Sequence, residues 1–270
     1  MVLQDRRIAI IGVGNMGLAL MRGMIDSGVS PDSITIHNRR EARTAAIVEK
    51  YGVRGADSNA SCVEGADVVL VAVKPQIFSK VLPEIRASAG EALILSVAAG
   101  ITCARIESAL SSGARVVRAM PNTPSVIKEG ATAICPGAHA TEEDLELAAA
   151  MLEPIGKVLV VDESHMDAVT GLSGSGPAYV MLIIEAFSDA GVRVGLSREI
   201  AQALAVQTIR GSARLLQETN EHPGRLRDQV TSPGGTAIAG LHALEEGGLR
   251  TTIMNAVEAA TKRARELGES

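Results

Sequence analysis

Tryptophan is absent from this 270-residue chain, and tyrosine and phenylalanine occur only twice each. Platforms that bind single-stranded nucleic acid stack bases on aromatic rings, so this scarcity argues against that mode of recognition. The hydrophobic fraction is nevertheless 46%, so the core has to be built from Ala, Val, Ile, Leu and Met. Blocks of basic residues are missing too: 26 Lys and Arg stand scattered against 31 Asp and Glu, for a formal net charge of -5. Without an electrostatic footprint for a polyanion, the expected ligand is small. No apolar run approaches the length needed to span a bilayer. The N-terminal "MVLQDRRIAIIG" lacks the charged head, apolar stretch and small-residue cleavage site of a secretory signal. A cytoplasmic protein that binds neither membrane nor nucleic acid is the expectation.

Cysteine is equally sparse. Cys62, Cys103 and Cys135 are odd in number, far apart, and show no C-x-x-C spacing. The five histidines form no H-E-x-x-H pair. The pattern therefore indicates neither a metal site nor a disulfide, and buried reduced thiols are the expected state.

The sequence divides by hydrophobic period. From residue 7 to about 162, short β-branched runs alternate with helical segments: "RIAIIG", "SITIHN", "DVVLVAV", "LILSVA", "RVVRAM" and "KVLVVD". Continuous apolar runs of this kind suit strands buried on both faces of a mostly parallel sheet. The fold class is α/β, with a doubly wound Rossmann-like sheet over residues 1–162. After 163 the strand-like runs stop. "PAYVMLIIEAFSDAGVRVGL", "SREIAQALAVQTIRGSARLLQETN", beginning from a Ser197 cap, and "LRTTIMNAVEAATKRARELG" carry apolar residues at helical spacing. Residues 163–270 thus read as an all-α domain. Helices so rich in aliphatic side chains would leave apolar surface bare in a monomer, which predicts a dimer, with a compact monomeric bundle as the alternative.

"IAIIGVGNMGLAL" places Gly12, Gly14 and Gly17 between the first strand and the first helix. Gly12 permits the tight turn, Gly14 admits a pyrophosphate to the backbone, and Gly17 lets helix and strand approach. Amides of Asn15 and Met16, at the helix start, would then face phosphate. At the end of the second strand stand Asn38, Arg39 and Arg40, where an acidic residue would select NAD. Guanidinium groups match a 2′-phosphate, so NADPH is the expected cofactor, with NADH possible; alternatively the arginines only decorate a solvated loop. Val73, Lys74, Pro75, Ala98 and Ala99 follow two further strands and are expected to line the cofactor cleft, Gly100 with them leaving room for a flat ring. Asn122 and Thr123 of "MPNTP" either reach the cofactor or form an Asx-type turn.

One segment interrupts the helical half. "TSPGGTA", residues 231–237, can turn successive backbone N–H groups inward ahead of "AIAGLHALEE", making a nest for an anion. A Ser232 cap before a Pro-Gly turn accounts for the same letters. "GLSGSGPAY" is expected to let helices bend or pack closely, with Ser175 capping a helix from Pro177.

Taken in order, "GVGNMG", "VAVKP", "AMPNTP", "GLSGSGPAY" and "VTSPGGTAIAGLHALEEGG" resemble the pyrroline-5-carboxylate reductases over nearly the whole chain. The resemblance implies a Rossmann domain, a helical domain that interlocks into homodimers and often decamers, and reduction of a cyclic imine to L-proline with NADPH or NADH. It implies that Ser232, Gly234, Gly235, Thr236 and Ala237 hold the substrate carboxylate. Glu163 would lie near the substrate ring, Asn59 at the adenosine ribose, and Gln229 near the cofactor. Family members commonly have threonine where this chain has Ala237, so the resemblance leaves the proton to Thr236, to water, or to a substrate that arrives protonated. β-Hydroxyacid dehydrogenases share the glycine motif but carry a catalytic lysine on the first helix after the cofactor domain, and the matching "PAYVMLIIEAFSDAG" has none.

Overall fold

The computed structural model describes Leu3 and residues 5–269. Its first half alternates strand and helix: β1 (Ile8–Ile11), α1 (Asn15–Asp26), β2 (Ile34–His37), α2 (Glu41–Tyr51), β3 (Arg54–Gly55), α3 (Asn59–Val63), β4 (Val68–Val71) and α4 (Pro75–Ile85). Then follow β5 (Leu93–Ser96), α5 (Cys103–Ala109), β6 (Val116–Met120), β7 (Gly130–Pro136), α6 (Glu142–Leu152) and β8 (Gly156–Val160). The sheet runs β3-β2-β1-β4-β5-β6-β7-β8. All pairings are parallel except β6 with β7, which run antiparallel with Arg118 opposite Cys135.

In β1, β4, β5 and β6 the continuous apolar runs are explained by burial on both faces, whereas β8 does not follow that expectation, with Leu159 and Val160 exposed at the sheet edge. In β1, Ile8 and Ile10 join one core with Leu20, Met21, Met24 and Leu152, while Ala9 and Ile11 join another with Phe78, Leu82, Ile85 and Ile106. Successive side chains of a strand point to opposite faces, so helices must cover both. The order reverses at β1, with β2 on one side and β4 on the other, which sets a switch point at the carboxyl ends of β1 and β4.

Two strands escape the sequence pattern. β3 has two residues, both exposed, and β7 reads "GATAICP", small and polar residues that give no apolar run. β7 also turns the far edge of the sheet antiparallel.

The second half is helical: α7 (Met166–Val169), α8 (Gly176–Arg193), α9 (Arg198–Thr219), α10 (Pro223–Gln229), α11 (Thr236–Glu246) and α12 (Leu249–Glu269). Ser197 caps α9, its hydroxyl accepting from Ile200 N–H at 3.3 Å. Ser175, expected as a cap, is not one. A π-turn over Thr170–Gly174 joins α7 to α8, and Ser175 N–H donates to Thr170 O at 2.9 Å within it. Ser175 thus has helical dihedrals and cannot offer the extended backbone that a cap requires.

Contacts divide the chain into two compact units, one containing the residues up to Ser175 and those from Ala259 onward, the other Gly176–Glu258. The second has almost no core of its own. Among its described residues only Ser188, Ala201 and Ala205 are buried, whereas Met181, Leu182, Ile200, Leu204 and Met254 are each more than half exposed. Burying a large aliphatic side chain is worth about 1.5–3 kcal/mol, so an apolar surface of this size calls for a covering partner. No helix of the described residues is long and apolar enough to cross a membrane.

Candidate active site

The glycine loop after β1 is shaped from three directions. Gly12 has φ +86°, and a Cβ there would stand 2.6 Å from Val73 Cγ1 and 3.0 Å from Ala72 O, so the loop closes on the end of β4. A Cβ on Gly17 would meet Gly12 O at 2.7 Å, which only glycine avoids. Gly14 differs: a Cβ would find nothing within 4 Å. Its lack of a side chain therefore serves something other than the packing of this fold. Gly14 precedes α1, whose first-turn amides receive no side-chain cap. Asn15 and Met16 begin that helix, Asn15 exposed and Met16 packed partly against the core.

Side chains from β2 and α2 hold the loop. Asn38 Oδ1 accepts from Val13 N–H at 2.7 Å, and Arg43 Nε donates to Val13 O at 2.9 Å. Asn38 is thus committed to fixing the loop, a role its position in the sequence did not disclose. Arg43, one turn into α2, was overlooked for the same reason. Arg39 and Arg40 are exposed, and their side chains make no hydrogen bond or ion pair among the described residues.

Asn59 opens α3. Its Nδ2 donates to Glu84 Oε2 at 2.6 Å, while its Oδ1 is buried and has no hydrogen-bond partner. A buried acceptor left unpaired costs about 1–3 kcal/mol, which makes it a place where a ligand hydroxyl would be welcome. Lys74 and Pro75 form the start of α4, Lys74 exposed and without a side-chain cap bond. After β5, Ala98 is buried in the core and Ala99 is exposed. Gly100, expected to leave room for a ring, instead admits the end of α12: a Cβ there would stand 3.5 Å from Gly268 N. Asn122 takes neither of the roles expected for it alone. Its Nδ2 donates to Ser173 O in the π-turn at 3.0 Å and its Oδ1 accepts from Ala131 N–H at 2.9 Å, tying the loop after β6 to both.

The loop of the helical unit is described by itself. Gln229 ends α10, exposed, and Thr231 Oγ1 donates back to Arg227 O at 2.7 Å. Gly234 has φ +65°, and Gly235 N–H donates to Ser232 O at 3.0 Å, closing a turn. α11 then starts at Thr236 with no side chain capping its first amides. A Cβ on Gly235 would meet Ser232 Oγ, which can rotate aside, and Ser232 O at 3.1 Å, so the turn is tight there. Ser232, Gly234 and Thr236 are exposed, Gly235 and Ala237 half-buried, and Thr236 Oγ1 has no partner among the described residues. Unpaired amides at the positive end of a helix form an anion site.

Glu163 lies elsewhere, after β8. Its Oε1 accepts from Cys103 N–H at 2.7 Å and from Arg118 Nη1 at 3.2 Å. Arg118 is 4% exposed and Glu163 33%. Spacing indicates no metal ligands, yet the fold gathers Cys103, Cys135 and Glu163 with their donor atoms all within 4.8 Å of one another. They stand 32 and 28 positions apart in sequence on α5, β7 and the segment after β8, so no local motif could announce them. Cys103 hydrogen-bonds Cys135, which lowers the Cys135 thiol below its ordinary range; the same contact, then burial, pushes Cys103 up.

Comparison with known proteins follows this division. The family model described as pyrroline-5-carboxylate reductase dimerisation matches residues 163–267, and that described as NADP oxidoreductase, coenzyme F420-dependent, matches residues 7–100. A pyrroline-5-carboxylate reductase of Methanosarcina acetivorans is 45% identical over 99% of this chain and 100% of its own. One from Arabidopsis thaliana is 45% identical over 98% and 96%. Among solved structures, a pyrroline-5-carboxylate reductase from Coxiella burnetii superposes with TM-score 0.94 at 38% identity, covering 98% of this chain and 99% of its own. The Plasmodium falciparum enzyme, solved with NADP bound, gives 0.87 at 31%, covering 98% and 99%. With an open dinucleotide-type loop, an uncapped helix after Pro-Gly-Gly and full-length relatives at this identity, the chain belongs to the pyrroline-5-carboxylate reductase family.

Proposed function

We propose that this chain reduces L-1-pyrroline-5-carboxylate to L-proline with NADPH, NADH serving as an alternative donor, in the last step of proline biosynthesis. The observation that carries this reading is the bare start of α11: Gly234 and Gly235 shape a turn, no side chain caps the helix, and its free amides suit a carboxylate. In this reading Ser232, Gly234, Gly235, Thr236 and Ala237 bind that carboxylate, and Thr236 offers an exposed hydroxyl at the start of α11.

The residues present fit a dinucleotide. Gly14 leaves the backbone approachable, and the amides of Asn15 and Met16 take the pyrophosphate. Asn38 keeps the loop in place through Val13, and the unpaired Oδ1 of Asn59 receives a ribose hydroxyl. Arg39 takes a 2′-phosphate; Val73, Lys74, Pro75 and Ala99 border the cleft, Ala98 supports it from the core, and Gln229 completes the cofactor set. NADPH, when bound, supplies the hydride. What remains for the protein is to hold and orient, because a protonated imine accepts hydride without a strong acid at its side. Glu163, held by Cys103 N–H and Arg118 Nη1, lies near the substrate ring in this reading. A cytoplasmic homodimer, the least assembly that covers the helical unit, completes the reading.

The test is oxidation of NADPH followed by absorbance with pyrroline-5-carboxylate, and chromatographic identification of L-proline. Stoichiometric proline formation is expected. NADPH consumption with another cyclic imine but not with this one would overturn the substrate assignment.

A further inference from the structure

Away from the two loops, the described residues gather one cluster of metal-type donors. Cys103 is the first residue of α5, Cys135 lies in β7 opposite Arg118, and Glu163 follows β8. Their two sulfurs and a carboxylate oxygen are mutually within 4.8 Å. We propose that Cys103, Cys135 and Glu163 form a binding site for a soft divalent cation of the zinc class.

Donor chemistry sets the class. Two thiolates with one carboxylate suit Zn²⁺ or Cd²⁺, and disfavour Mg²⁺ and Ca²⁺, which take oxygen. Spacing agrees. A tetrahedral ion with Zn–S of about 2.3 Å holds its two sulfurs roughly 3.8 Å apart, so the donors need to close by at most about 1 Å.

The carboxylate is already anchored beside the sulfurs. Its Oε1 is held by Cys103 N–H and by Arg118 Nη1, which is the outer-shell support that ligating carboxylates require. Charge balances with the ion in place: two thiolates and a carboxylate carry three negative charges, which a divalent ion and Arg118 neutralise, so no net charge is stranded among the surrounding core residues. Both cysteines are buried, at 2% and 0% exposure, while Glu163 is one-third exposed and supplies the way in from solvent. Three protein donors leave a fourth position to water.

The experiment titrates the reduced full-length protein with Cd²⁺ alone and records the ultraviolet thiolate-to-cadmium charge-transfer band. One ion per chain is expected, displaced by Zn²⁺. The band should survive Cys62→Ser and vanish in Cys103→Ser and in Cys135→Ser. Glu163→Gln, which leaves both thiols, should weaken binding at least about tenfold. X-ray absorption on the zinc-loaded unmodified protein requires no variant to fold, and should find two sulfurs at about 2.3 Å and oxygen at about 2.0–2.2 Å. No saturable band at one equivalent, a band that Cys62→Ser abolishes, a sulfur count other than two, or unchanged Cd²⁺ affinity in Glu163→Gln would each overturn the proposal.

Discussion

Gly14 and Gly17 are both motif glycines, but the structure gives them opposite reasons to lack a side chain, and replacing each with valine separates the two. At position 17 the first added carbon lies 2.7 Å from Gly12 O and 3.3 Å from Ala72 Cβ, so the variant must push α1 away from β1 and β4. Overpacking of this kind costs about 1–3 kcal/mol, less a few tenths returned by better helix propensity. At position 14 nothing lies within 4 Å and the backbone is extended, with φ -77° and ψ -158°, which valine adopts readily. The loss of a favourable N-cap residue there is offset by reduced freedom of the unfolded chain, so the change should stay within about 0.5 kcal/mol. Binding inverts the order. A side chain at 14 fills the approach to the helix amides and should weaken NADPH at least tenfold, about 1.4 kcal/mol. Urea unfolding of the ligand-free variants, at matched protein concentration, and NADPH titration by calorimetry measure both quantities. Gly14→Val that binds NADPH normally, or that unfolds as easily as Gly17→Val, would refute the assignment of Gly14 to the cofactor.

Other expectations can be checked with single variants. Leu182→Arg places a charge on a face where Leu182 is 66% exposed in the single chain, and should raise the dimer dissociation constant more than a hundredfold, about 2.7 kcal/mol, by analytical ultracentrifugation. Arg39→Glu should lower the NADPH-to-NADH ratio of kcat/KM at least tenfold, because the residue is exposed and otherwise unengaged. Thr236→Ala keeps every backbone amide of the α11 start and should reduce kcat by less than about tenfold; a loss of a hundredfold or more would make its hydroxyl the proton donor. Cys62 is buried and its thiol is pushed up to about 12 by desolvation. A raised value keeps the group protonated below that pH, so at pH 8 only about one thiol in ten thousand is thiolate, and iodoacetamide should label Cys62 only after unfolding.

The sheet was legible where burial on both faces forces a continuous apolar run, as in β1, β4, β5 and β6; β2, buried only at alternate positions, and β8, where Leu159 and Val160 are exposed, were legible from their β-branched residues instead. β7 was not: it pairs antiparallel to β6 and parallel to β8, and although Thr132 to Cys135 are buried, its small and polar residues make no apolar run. The site shows the same limit. Glycine requirements are written locally, as clashes at Gly12 and Gly17 and openness at Gly14, so the loop could be read from its letters. Asn38 and Asn122 serve by reaching backbone atoms 25 and 51 residues away, to Val13 and Ser173, and an amide side chain looks alike whether it meets a ligand or a distant carbonyl. The π-turn belongs to this class as well. "GLSGSG" signals only permissive backbone; what makes it a wide turn is Asn122 taking Ser173 O, together with Gly174, where a Cβ would stand 2.6 Å from Met120 Cε. Local letters therefore locate the places where a side chain must be missing, and tertiary contacts decide what the side chains that remain are for.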